Sequence, residues 1–443
     1  MKRIIEKELL EWKNSFDRLP LVIRGARQVG KSFIIENFGK TNFSTFVTIN
    51  FEFEPEYKGC FEVLDPIEII KNIEVISGKR IIPGKCLLFV DEIQECPKAF
   101  IALRYFKEKM PTLHVIAAGS LLELSINREE FRMPVGRVAF MYMYPLNFNE
   151  FLMACDENII LDYLENITLK KGVDNVIHEK ALRLFREYIF VGGLPSVLNI
   201  YFKTKSYLEA QKRQSELNMA YKLDFGKYSH KTDIKYLEKV YERLGVMISK
   251  PIKYSQISKD YQSRDLKRAI NLLEEAKIIT KVNQNNAAGL PIKSGDKERY
   301  KLLFLDVGLY LRLLNFNHED LLLTKDLSLI NEGTISEQVV GQELLSYQNL
   351  HNEPFLYYWD REKRNSSAEV DYLYQYRQLI LPIEVKSGTT GRLKSIRLYM
   401  EEKGISLGIR ISQNNLSLND KILSIPFYLI SQLDRLISEA SMT

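Results

Sequence analysis

The chain has 443 residues, 45% hydrophobic and 27% charged, a composition that fits a folded protein of several domains and excludes a disordered or fibrous one. Its formal net charge of +5, from 62 Lys and Arg against 57 Asp and Glu, is too small to argue for nucleic acid by itself. Four cysteines without a C-x-x-C spacing and five scattered histidines exclude a disulfide scaffold and a His/Cys zinc site.

Met1 to Trp12 alternates charged and apolar residues at helical spacing and lacks the apolar run of a secretory signal. No stretch approaches the length of a membrane span, so a cytoplasmic protein with no membrane partner is expected. Pro20 to Arg24 suits a short buried strand, and Phe33 to Phe38 predicts a helix. Between them Gly25-Ala26-Arg27-Gln28-Val29-Gly30-Lys31-Ser32 fits the spacing G-x-x-x-x-G-K-[ST] without exception. Glycines let successive N–H groups turn toward phosphate oxygens, and the new helix adds its positive end. Lys31 is placed for the β and γ phosphates and the Ser32 hydroxyl for a metal, so ATP and Mg²⁺ are the expected ligands. The bland alternative is a tight turn that happens to carry Gly-Lys-Ser.

Thr45 to Glu52 predicts a second strand and Pro66 to Ile76 an amphipathic helix. Lys85 to Glu92 is an apolar run ending in Asp91 and Glu92, as expected of a central parallel strand with the site at its carboxyl end. Asp91 would support Mg²⁺ and Glu92 would orient or deprotonate the attacking water. Alone, such a run also fits a surface acid pair. Its place downstream of the phosphate loop strengthens the catalytic reading. Leu113 to Ser120 predicts another strand, with Ser120 either a polar γ-phosphate sensor or the cap of the next helix.

By this point the chain resembles the AAA-type P-loop ATPases that carry a C-terminal region called DUF4143. The resemblance rests on Gly25 to Ser32, Phe89 to Gln94 and Ala118 to Leu122. It extends to Pro134-Val135-Gly136-Arg137, Tyr144 to Phe151 and Val191 to Pro195. It implies that Ser120 is the sensor and that Arg137 is the cation acting on the γ-phosphate. A surface-paired loop arginine is the alternative for Arg137.

From Ile159 to about Lys250 the pattern is helical, broken by Gly192-Gly193-Leu194-Pro195, which reads as a helix-breaking turn or a lid contact to the nucleotide base. Between Lys250 and Lys301 stand 12 Lys and Arg against 6 Asp and Glu, a local excess larger than that of the whole chain. Two short helices around a turn, followed by strands at Ile278 to Val282 and Tyr300 to Phe304, predict a winged helix. Lys267 and Arg268 fall on its second helix, where a DNA-contacting module would present them. Protein contact is the alternative role.

In the last third, helical Thr334 to Leu344 precedes strand-like Phe355 to Trp359, Ala368 to Leu373 and Leu379 to Ser387. Asp371 on one strand and Glu384-Val385-Lys386 on the next, 13 residues on, look like the core of the PD-(D/E)xK nuclease fold, with Glu337 contributing from the helix. Asp371 and Glu384 facing each other would repel unless a second Mg²⁺, or Mn²⁺, lay between them, and Lys386 could then serve a metal-bound water. The alternative is a structural ion-pair cluster on an inherited, non-cleaving fold. Glu369-Val370 stands where that motif carries a proline before Asp371.

The expected architecture is therefore α/β and multidomain. It comprises a P-loop NTPase domain at 1–155, a helical lid or linker at 156–249, a winged-helix region at 250–325 and a restriction-nuclease-like domain at 326–443. Two functions stay open. One is an Mg²⁺-dependent ATPase coupled to a nuclease-like domain that acts on or binds DNA. The other is a nucleotide-gated switch or scaffold whose nuclease-like module contacts a protein partner or a second copy of the chain.

Overall fold

The computed structural model describes residues 1–126, 136–228, 233–292, 298–316, 333–361, 368–388 and 393–442. Pro134 and Val135, part of the resemblance above, lie outside the described residues. The apolar segment that precedes the phosphate loop forms β1 (Leu21–Arg24), whose first three residues are fully buried. Four parallel strands surround it, β2 (Thr45–Asn50), β3 (Cys86–Asp91), β4 (His114–Ala118) and β5 (Ala139–Tyr142), in the order β2-β3-β4-β1-β5. β3 is buried at all six positions, as a central parallel strand covered on both faces requires. Burying its Leu87, Leu88, Phe89 and Val90 contributes about 1.5–3 kcal/mol each relative to exposure.

The helices between these strands start where the sequence supplies caps. Asp65 accepts from the Ile67 amide at 2.9 Å ahead of Pro66, and Asn147 with Glu150 forms a reciprocal capping box. The described residues between Asn158 and Met247 are helical almost throughout, as expected. Its turn at Gly192 is set by a close approach. With φ at +78°, a side chain there would be strained, and its Cβ would fall 2.2 Å from Asp306 Oδ1.

Among the described residues the second sheet is mixed and has eight strands. They are β6 (Ile279–Gln284), β7 (Tyr300–Phe304), β8 (Leu356–Asp360), β9 (Glu369–Tyr376), β10 (Leu379–Val385), β11 (Gly408–Ser412), β12 (Ser417–Asn419) and β13 (Ile422–Pro426). The order is β12-β13-β11-β10-β9-β8-β6-β7. Helices Ile234–Met247, Tyr254–Ile257 and Ser263–Glu275 lead into the antiparallel pair β6 and β7. That pair does not stand apart, because β6 runs parallel to β8 and so extends the C-terminal sheet.

Helix Thr334–Ser346 is buried on nearly every side and holds the halves together through its polar side chains. Gln338 bonds both the amide and the carbonyl of Phe304, at 2.8 and 2.9 Å. Gln342 accepts from the Val307 amide, and Glu343 accepts from the Phe148 amide at 3.1 Å and the Tyr188 hydroxyl at 2.7 Å. One continuous apolar core runs from Ile5 to Ala440, and a second covers the other face of the first sheet. Among the described residues no helix is long and apolar enough to cross a membrane. Three of the four cysteines are buried and all are free thiols.

Candidate functional site: a phosphate-loop cleft and a buried acid cluster

The loop leaves the carboxyl end of β1 through Gly25, where a Cβ would fall 2.2 Å from the Met143 carbonyl oxygen. Gln28 and Gly30 both take positive φ, at 66° and 96°, and turn the chain back into helix Lys31–Asn42. Arg3 braces the loop from below, donating to the Val29 carbonyl at 3.0 Å and the Tyr144 carbonyl at 2.7 Å while paired with buried Glu150. The loop is thus fixed before any ligand arrives.

Lys31 Nζ donates to the Gly25 and Ala26 carbonyls, both at 2.8 Å. Burial pushes its ammonium down to about 8, against the attraction of Glu92 and Asp91. The Ser32 hydroxyl donates to Asp91 Oδ2 at 2.9 Å, and Asn50 Nδ2 donates to the same oxygen at 3.2 Å. Burial, and then Glu92, raises the Asp91 carboxyl above its ordinary value. A hydroxyl and a carboxylate oxygen brought together at the loop are the donor set that Mg²⁺ takes beside a polyphosphate, so the residues present fit that ion.

Glu92 adopts φ +49°, unusual for a side chain of its size. Its Oε2 accepts from Gln94 Nε2 at 2.7 Å and, more loosely at 3.4 Å, from the amide and hydroxyl of Ser120. β4 lies between β1 and β3, which carries Ser120 to a place between loop and acids. The helical region closes the cleft, a space of about 530 Å³, with Ala220, Leu223 and Asp224. Asp224 is ion-paired with Arg27 of the loop, and the Tyr221 hydroxyl donates to the Arg27 carbonyl at 2.9 Å.

Arg137 is not brought to this cleft. It precedes β5, whose first residue Ala139 pairs with Leu21, the first residue of β1, whereas the loop departs from the last, Arg24. Arg137 therefore sits at the opposite end of the sheet, half exposed and 3.2 Å from Glu108, which is the surface-paired alternative and not a γ-phosphate contact within the chain. The Gly192 to Pro195 turn meets the loop from beneath. Pro195 packs against Gly30, the Gly193 amide donates to Asp306 at 2.7 Å, and none of the four lines the cleft.

A second cavity of about 480 Å³ lies behind the loop. Its charged lining is mostly paired, Arg24 with Glu123, Lys281 with Glu274 and Lys277 with Glu353, with Glu275 outside these pairs. One carboxylate beside three ion pairs is not a convergent set of groups.

In the C-terminal half, Glu337, Asp371, Glu384 and Lys386 do come together. The Asp371 Oδ2 accepts from the Val385 amide at 2.7 Å, and Lys386 Nζ donates to Glu384 Oε1 at 2.6 Å. Among them stands a residue that motif spacing does not predict, Lys301 of β7. It is 2% exposed, and its ammonium is 3.6 Å from Glu337, 4.0 Å from Asp371 and in direct contact with Glu369. Burial and then Asp371 push the Glu337 and Glu384 carboxyls up. Glu384 Oε2 is buried without a hydrogen-bond partner. Yet among the described residues no three carboxylate, thiol or imidazole groups converge closely enough to hold a metal ion. With Lys301 in place these side chains do not fit the second metal that the motif implied.

The signal for Lys301 was a lone charge inside Tyr300-Lys301-Leu302-Leu303-Phe304, a strand buried at every position. Asp224 and Asp306 gave no local signal at all.

Lys267 and Arg268 of helix Ser263–Glu275 are partly exposed, but Lys267 is paired with Glu298 and Arg268 with Asp233 at 3.1 Å. Much of the basic excess between Lys250 and Lys301 is thus answered within the chain.

Residues 17–152 match a family described as an AAA domain, residues 182–320 a domain of unknown function (DUF8612) and residues 332–429 a domain of unknown function (DUF4143). No curated protein matches the chain. Solved structures similar to it include a Walker-type ATPase of Pyrococcus abyssi, at 15% identity and a TM-score of 0.44, covering 71% of this chain and 95% of that one. The ORC2 protein of Aeropyrum pernix is similar at 10% identity and a TM-score of 0.37, covering 71% and 93%. The RuvB Holliday junction branch migration motor of Thermotoga maritima is similar at 10% identity and 0.31, covering 71% and 94%. At these values the neighbours carry nothing about the chemistry of this chain. The domain matches place an AAA domain at one end and a DUF4143 domain at the other.

Proposed function

We propose that this chain, an AAA-type P-loop protein with a C-terminal DUF4143 domain, binds ATP with Mg²⁺ in the phosphate-loop cleft and hydrolyses it. The observation that carries the reading is the meeting of Lys31, the Ser32–Asp91 pair and the Glu92–Ser120 contact on one cleft. Loop amides and Lys31 bind and orient the phosphates, while Ser32 and Asp91 would hold the ion. An Mg²⁺ ion held there would supply positive charge to offset the negative charge of the phosphates. Glu92, steadied by Gln94, takes the proton of the attacking water, and Ser120 fixes the polar side of the γ-phosphate.

Phosphate release measured with malachite green tests this. Wild type turns over ATP, while Lys31→Ala and Glu92→Gln do not, and equal rates would remove the assignment.

For the C-terminal half, the run of helix Thr334–Ser346, β8, β9, β10, helix Lys394–Lys403 and β11, with β8 to β10 antiparallel and β11 parallel to β10, supports a nuclease-like fold. Lys301 among its acids favours the second reading, a nucleotide-gated switch or scaffold whose nuclease-like module contacts a protein partner or a second copy of the chain without cutting. Mg²⁺-dependent nicking of plasmid by wild type, lost in Asp371→Ala and Lys386→Ala, would reverse that preference.

Two contacts support coupling of the halves. Pro195 touches the phosphate loop, and Gly193 beside it bonds Asp306, five residues beyond Lys301 along the same strand and turn.

A further inference from the structure

Four carboxylates, Glu337, Glu369, Asp371 and Glu384, face two ammonium groups, Lys301 and Lys386, at one end of the second sheet. With all six ionised the cluster keeps two uncompensated negative charges. Lys386 lies beside Glu384 at its edge, whereas Lys301 enters from a different domain match and reaches three of the four acids. Its ammonium also lies 5.1 Å from the centre of the Tyr358 ring, a cation–π contact beside the acids. Glu384, 5% exposed, keeps one buried oxygen, Oε2, with no hydrogen-bond partner, so the cluster is not closed by its own hydrogen bonds.

We propose that Lys301 is the resident cation of this cluster, filling the position a divalent ion would otherwise take, and that its removal converts the cluster into a divalent-metal site. The inference rests on reading the C-terminal half as a fold built round these acids. An ammonium supplies one positive charge and no fixed coordination geometry, whereas Mg²⁺ or Mn²⁺ demands several oxygen ligands near 2 Å. The carboxylates splay around Nζ at up to 4.0 Å. Without Lys301, three or four like charges in a buried place repel one another. A divalent ion relieves that repulsion by drawing Glu337, Asp371 and Glu384 inward, and the unpartnered oxygen of Glu384 becomes a ligand. Lys301 belongs to β7, and Asp306, just past the end of that strand, bonds the Gly193 amide of the turn beneath the phosphate loop.

The test uses the full chain, free of nucleotide, with Mn²⁺ as probe, followed by melting temperature and by electron paramagnetic resonance. Wild type takes up no Mn²⁺ at the cluster and its melting temperature does not move. Lys301→Met melts lower, recovers on addition of Mn²⁺, and binds the ion about ten-fold or more tightly than wild type. Adding Asp371→Asn to that variant abolishes both effects. If Lys301→Met does not fold, Lys301→Met with Glu369→Gln restores the original charge balance and keeps the three inner acids for the same measurement.

A destabilised variant that Mn²⁺ does not rescue would make Lys301 a structural ion pair and overturn the proposal. So would Mn²⁺ bound equally by wild type, or a signal that survives Asp371→Asn. The underlying nuclease-like reading fails differently. Wild-type Mn²⁺ binding at the cluster would sink the resident-cation idea and strengthen a metal-dependent nuclease, whereas no binding by any variant would sink the resident-cation idea and leave the non-cutting fold standing on its strand order.

Discussion

Lys31 in the phosphate cleft and Lys301 in the acid cluster are both deeply buried, at 7% and 2% exposure, yet their ammonium groups are pushed in opposite directions. Lys31 touches two neutral carbonyl oxygens and feels Asp91 and Glu92 from farther off, so the cost of burial dominates and its charge is loosely held. Around Lys301 three carboxylates lie within 4.0 Å, and their attraction outweighs an equally severe burial, so its proton is held more tightly than in water. The first lysine has its charge free for an arriving polyphosphate. The second has its anions built into the fold.

Stability measurements can break that contrast, and here the largest effect is expected. Lys301→Met strands buried carboxylates and should lower unfolding free energy by about 3–5 kcal/mol, the cost of breaking a buried pair from one side. Lys31→Met removes a charge that burial already disfavours, so urea unfolding of the ligand-free chain should show stability unchanged or slightly raised, with ATP binding lost. Equal losses from both would mean that Lys31 is as structural as Lys301.

A buried acid sharpens the comparison from the other side. Glu343, 1% exposed between the two halves, has hydrogen bonds but no ion-paired cation among the described residues, and burial raises its carboxyl to about 7. The folded state therefore holds this proton more tightly than the unfolded state, near 4.5. Its contribution to stability is fully present below 4.5 and is lost as pH rises through about 7. Urea midpoints should fall between pH 5 and pH 8, and Glu343→Gln should reduce that slope. An unchanged slope would show that Glu343 is ionised in the folded chain without penalty.

The same contrast explains what the sequence could say. The phosphate site is made of one contiguous loop and of strand ends that follow from apolar runs, so Gly25 to Ser32, Asp91 and Glu92 were readable from spacing, whereas the role of Ser120 came from resemblance. Arg137 was carried by resemblance alone, and the parallel register of β5 with β1 puts it at the far end of the sheet. The motif acids of the C-terminal cluster also sit on adjacent strands, and they met as expected. What spacing could not supply was the cation from β7, because the contact spans 36 residues to Glu337 and depends on how the second sheet incorporates the β6 and β7 pair. Periodicity fixes which face a side chain takes, not which distant strand closes over it.

The smallest expected effect lies where the helical region touches the loop. Asp224 is paired with Arg27 and lines the cleft, so it places a negative charge beside the path of a polyphosphate. Asp224→Asn keeps the shape of the side chain, removes that repulsion and loosens the hold on Arg27. Across the screened distances of a partly open cleft this amounts to about a two- to five-fold gain in affinity for MgATP, shrinking as salt is raised. Titration calorimetry at two ionic strengths reads both numbers. A loss of affinity that salt does not change would have another cause. It would show that the Asp224 pair holds the loop in its binding shape, making the helix Tyr207–Leu223 a brace for the site and not only its cover.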